Sequence, residues 1–427
     1  MTHLNYIEIK NRLMRSSLFK DSAWAIIGNG FGNVLLLISG IIIARFLGKD
    51  LYGEYGLVKT TMFYIASFST FGLGTTVTKF VSNSIEEGGN DLRSVIKAAS
   101  VITFSFSLFL AILLVVFAKQ VAIFLEEPNI VVPLRFLAAL IVFRALNTTQ
   151  IGVLSGYKDF RAIAKNVTIS GLSMLVLSIP LTYLYSLTGA LISLIVSQII
   201  YYVLNQIDIN RLLSQASNNS SSREYGKLLK FSFPIALQES SFMICNWGLT
   251  LMIPKLCSMG ELGIYSAISQ WNAIVLYIPS VLSNVVLSYL SGTQNDNVAH
   301  TNTLKRMTLV NFVSALVPFI IVLCLSNFIT SFYGPTFDTM RIPLIVIVFS
   351  TVFVAISNVF SSELISKSKT WALFSLRLTR DLLIIGGSFY LIKYILVSGA
   401  LSAAICTVIA NIFFCAGCFI SYKRSKR

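Results

Sequence analysis

Acidic side chains are scarce in this chain of 427 residues: 18 Asp and Glu stand against 33 Lys and Arg, and charged residues of both signs make up only 12%. Soluble domains carry about 25% charged residues, so the shortage excludes an ordinary water-facing surface. Only two histidines are present, His3 and His300, and neither has a cysteine at metal-ligand spacing. The six cysteines lie in or beside apolar stretches, and the CxxC formed by Cys415 and Cys418 reads as one turn of an apolar helix. No metal or other cofactor is expected. Long soluble loops able to hold an active site are missing, as is any motif that reads nucleic acid.

Apolar sequence fills the space these absences leave. Hydrophobic residues make up 55% of the chain, in twelve stretches at 22–44, 57–78, 96–118, 131–154, 167–186, 189–206, 231–254, 263–290, 307–330, 342–361, 371–392 and 397–420. Crossing a bilayer as helix takes about 20 mostly apolar residues, and lipid leaves no partner for an open backbone edge. The expectation is an all-α integral membrane protein of about twelve transmembrane helices. The first stretch ends at Arg45 with no small-residue cleavage site, so it reads as a retained helix.

Orientation follows from the positive-inside bias. With the N-terminus in the cytoplasm, 22 of the 33 Lys and Arg fall in cytoplasmic segments and six in outer loops. Both termini are then cytoplasmic, and most of the +15 net charge is this bias, with no nucleic acid required. The segments read as a cytoplasmic N-terminal piece (1–21), a six-helix lobe (22–206), a Ser/Asn-rich linker (207–230), a second six-helix lobe (231–420) and a basic tail (421–427).

Traces of a repeat support two lobes. Gly53-Glu54-Tyr55-Gly56 precedes the second span and Gly260-Glu261-Leu262-Gly263 the eighth, an offset of 207. Leu18-Phe19-Lys20 with Ser22 and Leu228-Leu229-Lys230 with Ser232 give 210. An even number of spans per half makes the repeat parallel, related by an axis along the membrane normal.

Further signals are Ala44-Arg45-Phe46-Leu47-Gly48 followed by Tyr52-Gly53-Glu54-Tyr55-Gly56, then Phe231-Ser232-Phe233-Pro234 with Gly263-Ile264-Tyr265-Ser266, and Gly152-Val153-Leu154-Ser155-Gly156 ahead of Phe160. On these residues the chain resembles the polysaccharide flippases, O-antigen flippases especially, of the superfamily that also holds multidrug and toxin extrusion proteins and peptidoglycan-precursor flippases. The resemblance implies a multi-pass protein of a bacterial inner membrane that carries a polyprenyl-diphosphate-linked oligosaccharide across by alternating access. It also implies membrane lipids as surroundings, with polysaccharide polymerase and glycosyltransferases as partners.

Charges inside spans are expensive, at least about 2.5 kcal/mol each on insertion scales, and usually face a cavity. Arg144 stands deepest, on a face with Asn147 and Ile151; Lys59, Arg135, Arg377 and Arg380 are the other candidates for an anionic head. Arg377 and Asp381 are spaced to pair. Amides for sugar hydroxyls are expected from Asn29, Asn33, Gln238, Asn246 and Gln270, and stacking aromatics from Trp247, Trp271 and Tyr265. Around Asn29 and Asn33, the glycines 28, 30 and 32 permit two readings, a bendable substrate-facing helix or close helix packing.

The first helix holds no acidic residue beyond Asp21 at its mouth, unlike many drug exporters of the superfamily. The alternative is nonetheless an ion-coupled multidrug antiporter, with Glu239 or Asp381 carrying the ion. A polymerase or ligase is disfavoured by the short outer loops. The orientation predicts that alkaline phosphatase fused after Lys255 is active and fused after Arg306 inactive; the reverse pattern would invert the topology.

Overall fold

Helix is the only structure in which each apolar segment satisfies its own backbone, and every regular element described is helical. The computed structural model describes residues 3–86, 91–124, 131–214, 225–292, 297–367, 369–395 and 398–426. Among these, the α-helices are α1 (His3–Ser69), α2 (Leu73–Glu86), α3 (Leu92–Phe124), α4 (Val131–Gly156), α5 (Phe160–Ser214), α6 (Tyr225–Leu256), α7 (Met259–Gly292), α8 (Asn297–Tyr333), α9 (Arg341–Ser366), α10 (Thr370–Tyr394) and α11 (Gly399–Lys426). A short 3-10 helix, Pro335–Met340, joins α8 to α9.

Two of these helices fold back on themselves. α1 reverses at Gly48, whose φ of 71° is a conformation glycine adopts without penalty. α5 reverses at Ser186, with φ 50°, and Gly189 lets the returning arm lie against the Leu181 carbonyl. The second arm of α1 continues into α2 across a break at Thr70–Gly72, where Ser69 and Thr70 hydroxyls donate to the carbonyls of Ala66 and Ser67, and Thr75 and Thr76 to that of Gly72. Such side-chain bonds are what make a helix break tolerable in lipid. Among the described residues this gives twelve helical arms, in the order of the twelve expected spans. Seven described segments are long and apolar enough to cross a membrane by length and composition, the two doubled helices among them. Exposed apolar side chains such as Phe109, Ile112 and Val116 on α3 and Leu309, Ile320 and Phe328 on α8 form a lipid-facing surface.

Alternation of the passes brings both chain ends to one end of the bundle, here called the basic end. Three expectations about this end are corrected. α5 continues through Ser214, beyond residue 206, because Asp208 accepts a hydrogen bond from Asn166 (2.9 Å) and lies 3.8 Å from Lys165, while Arg211 pairs with Asp159 (3.8 Å); the Ser/Asn run at 215–224 lies outside the described residues. His300, which the expected spans leave in the loop before 307–330, belongs to α8, and its Nε2 lies 3.0 Å from Oε1 of the fully buried Glu363. Lys367 reaches the same oxygen at 2.8 Å. Asp381 pairs with adjacent Arg380 (2.7 Å) instead of Arg377, one turn away.

The glycines around Asn29 act in packing. Gly28 lies against Ala164, Gly32 against Val167 and Gly30 against Tyr277, and the helix between 28 and 47 keeps helical backbone angles. α1 and α7 meet most closely at the opposite end. A Cβ on Gly53 would strike the Met259 carbonyl, one on Gly263 would strike the Lys49 carbonyl, and Gly56 faces Ser266. Gly53 and Gly263, like Gly56 and Ser266, are 210 residues apart, so the contact is self-matching at that offset rather than at 207. Glu261, read as a repeat trace, serves a different purpose, since its carboxylate accepts from Ser398 Oγ (2.8 Å) and the Ala400 amide (2.9 Å) and so caps the start of α11.

Gly53→Leu is expected to destabilise the protein by about 1–3 kcal/mol through overpacking, read as a lower melting temperature in detergent and lower membrane abundance. Gly386→Ala, where nothing lies within 4 Å, serves as the silent control. A Gly53→Leu protein as stable as its parent would contradict the close α1–α7 contact.

Candidate functional site

The helix contacts that seal the opposite end leave space between the halves nearer the bundle centre. Two chambers, each about 460 Å³, share Lys59, Phe63, Gln270 and Ala273 on their walls and make one cavity. The shallower chamber extends past Asn33, Ile151, Val167 and Tyr277 toward the basic end. The deeper one ends beneath Tyr52 and Tyr55.

Above Tyr52 the exit is closed by aromatic packing. Tyr52, Tyr55, Tyr333 and Phe337 are at most 1% exposed. Tyr52 stacks on Tyr55 (5.7 Å between centroids) and meets Phe337 edge-on (6.1 Å), Tyr333 packs on Phe337 (5.3 Å), and Trp271 Nε1 donates to Tyr333 Oη at 3.0 Å. The 3-10 helix delivers Phe337 into this plug, entered through Gly334 at φ 94°.

Arg144 reaches the cavity from α4, whose nearby polar residues are bonded to other helices. Asn147 donates to both the carbonyl and the side-chain oxygen of Gln198 on α5, each at 3.1 Å, Gln150 is bonded by its amide to Gln206 (2.9 Å), and Thr149 meets Thr103 of α3 at 2.8 Å. These bonds tie α4 to α3 and α5, and Arg144, on the same side of α4 as Asn147 and Ile151, lines the shallower chamber beside Gln198 and Tyr201. Its guanidinium lies 4.6 Å from the Phe63 ring centre. Lys59 Nζ lies 5.9 Å from the same ring and 5.5 Å from that of Tyr55. Cation–π contacts of this kind contribute about 0.5–2 kcal/mol each. Among the described residues no carboxylate lies on either chamber wall, and neither cation has an acidic partner within ion-pair distance.

Gln270 joins the two chambers, and it fits because Gly40 has no side chain to obstruct it. The Gln270 carbonyl oxygen, that of Asn272 and the Tyr55 hydroxyl are buried without a hydrogen-bond partner among the described residues. Buried polar groups are normally paired by protein or water, so these three are available to a hydrophilic occupant.

The structure therefore brings Arg144, Lys59, Asn33, Gln270 and Asn246 together around one cavity. It does not bring the others there. Arg135 is exposed on α4 at the opposite end, Asn29 does not line the cavity, and Arg377 and Arg380 line a separate space of about 250 Å³ with Asp381 and Asn358. The side chains of Gln238 and Glu239 lie outside the described residues. Of the aromatics, Tyr265 lines the deeper chamber, whereas Trp271 holds the plug and Trp247 donates to Thr61 at 3.1 Å. Gln198 and Tyr201 on the returning arm of α5, and Tyr277 on α7, are wall residues that reasoning from the sequence passed over. Their signal was present: Gln198, Tyr201 and Asn205 recur at helical spacing in an otherwise apolar segment.

Comparison with known proteins agrees with this architecture. No curated protein sequence matches the chain. Among solved structures, an inward-facing multidrug resistance MATE family transporter of the MOP superfamily is similar at 14% identity over 92% of this chain and 94% of its own, with a TM-score of 0.79. An outward-facing transporter of the same description matches at 15% identity over 94% of each chain, with a TM-score of 0.65. The lipid II flippase MurJ in an inward closed conformation matches at 19% identity over 93% of this chain and 87% of its own, with a TM-score of 0.73. At such identities the likeness speaks for the fold alone, the all-helical fold of these membrane proteins. The description "Polysaccharide biosynthesis protein" is matched by residues 42–310, more than half of the chain, so the protein belongs to the polysaccharide biosynthesis protein family.

Proposed function

We propose that the protein is a flippase that carries a polyprenyl-diphosphate-linked oligosaccharide, the repeat unit of O-antigen or a similar surface polysaccharide, across a bacterial inner membrane. The observation that carries this reading is the pair of cations, Lys59 and Arg144, on the wall of a central cavity that has no carboxylate among its described residues. An anion is the occupant that offsets their charge, and a guanidinium binds phosphate oxygens through two parallel donors. Gln270, Asn33, Asn246 and the cavity tyrosines suit sugar hydroxyls. A lipid-linked glycan diphosphate presents both chemistries on one molecule, and membership of a polysaccharide biosynthesis family supplies the context.

In this reading the basic end is cytoplasmic, and the two six-helix halves, 22–206 and 231–420, rock about their contact to open the cavity to either face. The higher TM-score with the inward-facing relative, 0.79 against 0.65, and the aromatic plug at the opposite end both favour a state open to the cytoplasm. Glycosyltransferases supply the loaded lipid on that side and a polymerase consumes it on the other. An ion-coupled antiporter for organic cations is less well supported, since its cargo would meet two positive charges and Asp381 is engaged by Arg380 away from the cavity.

Arg144→Ala is expected to remove about 1.5–3 kcal/mol of charge-assisted hydrogen bonding, roughly a ten- to hundredfold loss of binding. The measurement is surface polysaccharide in cells lacking the protein and complemented with wild type, Arg144→Ala or Lys59→Ala at matched abundance. The expected order is wild type above either variant, with Arg144→Lys between wild type and Arg144→Ala. Normal surface polysaccharide in the uncomplemented null, with no redundant transporter, would overturn the reading.

A further inference from the structure

A second cavity, of about 320 Å³, lies on the outside of the wall that bears Lys59, between the second arm of α1, α3 and α6. Its lining is apolar: Ile65 and Phe68 from α1, Leu113 and Phe117 from α3, Met243 and Ile244 from α6. The few polar atoms around it are already used, since Ser240 Oγ donates to its own helix at the Ala236 carbonyl (2.6 Å) and Trp247 Nε1 donates to Thr61. Phe68, Leu113, Phe117 and Ile244 are between 43% and 64% exposed, so the groove opens outward, where lipid would lie.

Its position matters more than its composition. Tyr64 lines both this groove and the deeper chamber of the polar cavity. Residues on either side of it divide between the two spaces: Phe63 faces the cations and Ile65 the groove, while on α6 Asn246 faces the chamber and Trp247 the groove. One helix thickness therefore separates a cationic, amide-lined space from an apolar one open to the bilayer. At the other seam, among the described residues, Gly53 and Gly56 bring α1 against α7 at the opposite end, and nearer the basic end the two helices line the polar chamber.

We infer that this groove holds the part of the isoprenoid chain nearest the diphosphate while the head occupies the cavity, so that the transported lipid straddles α1 beside Tyr64. This rests on the flippase reading. An amphiphile with an anionic head and a branched apolar tail matches the two adjoining spaces in the order in which they occur. At about 320 Å³, near the lower end of ligand pockets of about 300–1,000 Å³, the groove takes a short stretch of chain and leaves the remainder in the bilayer. It also makes the α1–α6 seam the side by which the lipid enters.

The test is photo-crosslinking to the full wild-type chain in lipid nanodiscs. The probe is a polyprenyl diphosphate with a diazirine in its first isoprene units, compared with the same polyprenol lacking the diphosphate and with a diazirine phosphatidylglycerol. The expected result is diphosphate-dependent labelling of peptides containing Leu113 and Phe117 or Met243 and Ile244, several-fold above both controls. It should be competed by unlabelled polyprenyl diphosphate and lost when Leu113→Trp and Ile244→Trp fill the groove. Diphosphate-dependent labelling confined to α7 or α8 would overturn the groove while leaving the flippase reading intact. Equal labelling by all three probes would overturn it as a non-specific lipid contact. No labelling by any probe overturns it too, and the surface polysaccharide of the null then decides separately whether the flippase reading stands.

Discussion

A guanidinium and an ammonium set in the middle of a membrane bundle repel each other and lose much of their hydration, a cost of at least about 2.5 kcal/mol for each charge. Lys59 and Arg144 bear that cost with no carboxylate among the described residues of the cavity wall. Part is offset by the faces of Phe63 and Tyr55, and part by whatever water fills the chambers. In the flippase reading proposed above, an anionic occupant offsets the rest. The surroundings read as devices that hold the two cations in place: the amide and threonine bonds that tie α4 to α3 and α5, and the turn at Gly48 that starts the arm bearing Lys59.

The same arm links the site to the closure at the opposite end. Lys59 stands one turn beyond Tyr55, and Tyr52, Tyr55, Gly53 and Gly56 form the plug and the contact with α7. That contact relates Gly53 to Gly263 and Gly56 to Ser266, so each half presents the matching surface to the other. Its glycines make it depend on close backbone approach. Dispersion attraction falls off within about 1 Å of added separation, so such a patch is either closed or open with little between. Packed interfaces of this kind are bistable, which is what a rocking transporter requires.

Much of this was legible in the sequence, and for identifiable reasons. Twelve apolar runs dictate twelve helical passes because lipid permits little else, and Arg144 announced itself by its depth in a span. Register and pairing were harder. The Gly-Glu-x-Gly echo suggested an offset of 207, but the contact is made at 210, since Glu261 serves to cap α11 and is not a repeat position. Spacing gave Asp381 to Arg377; a side chain one residue away reached it first. Arg377 and Arg380 resemble Arg144 in sequence, yet they belong to another space, because which face of a helix meets the central cavity depends on neighbours that no single span records. The apolar groove left no signal, as its residues are those of any lipid-facing helix.

The distribution of carboxylates sharpens the argument about cargo. Glu363 is held by His300 and Lys367, Asp381 by Arg380, Asp208 by Asn166 and Lys165, and Glu261 by the start of α11. None of these four faces the central cavity, whose described wall carries Lys59 and Arg144. A site that attracts a diphosphate must also release it. At 4 Å a pair of unit charges attracts by about 4 kcal/mol at an effective dielectric of about 20 and by about 1 kcal/mol in bulk water. The difference of about 3 kcal/mol is roughly a hundredfold in affinity. In the flippase we propose, parting the aromatic plug would admit water to the deeper chamber, hydration on the far side would weaken the same two cations that capture the head on the near side, and the conformational change itself would supply the difference between binding and release.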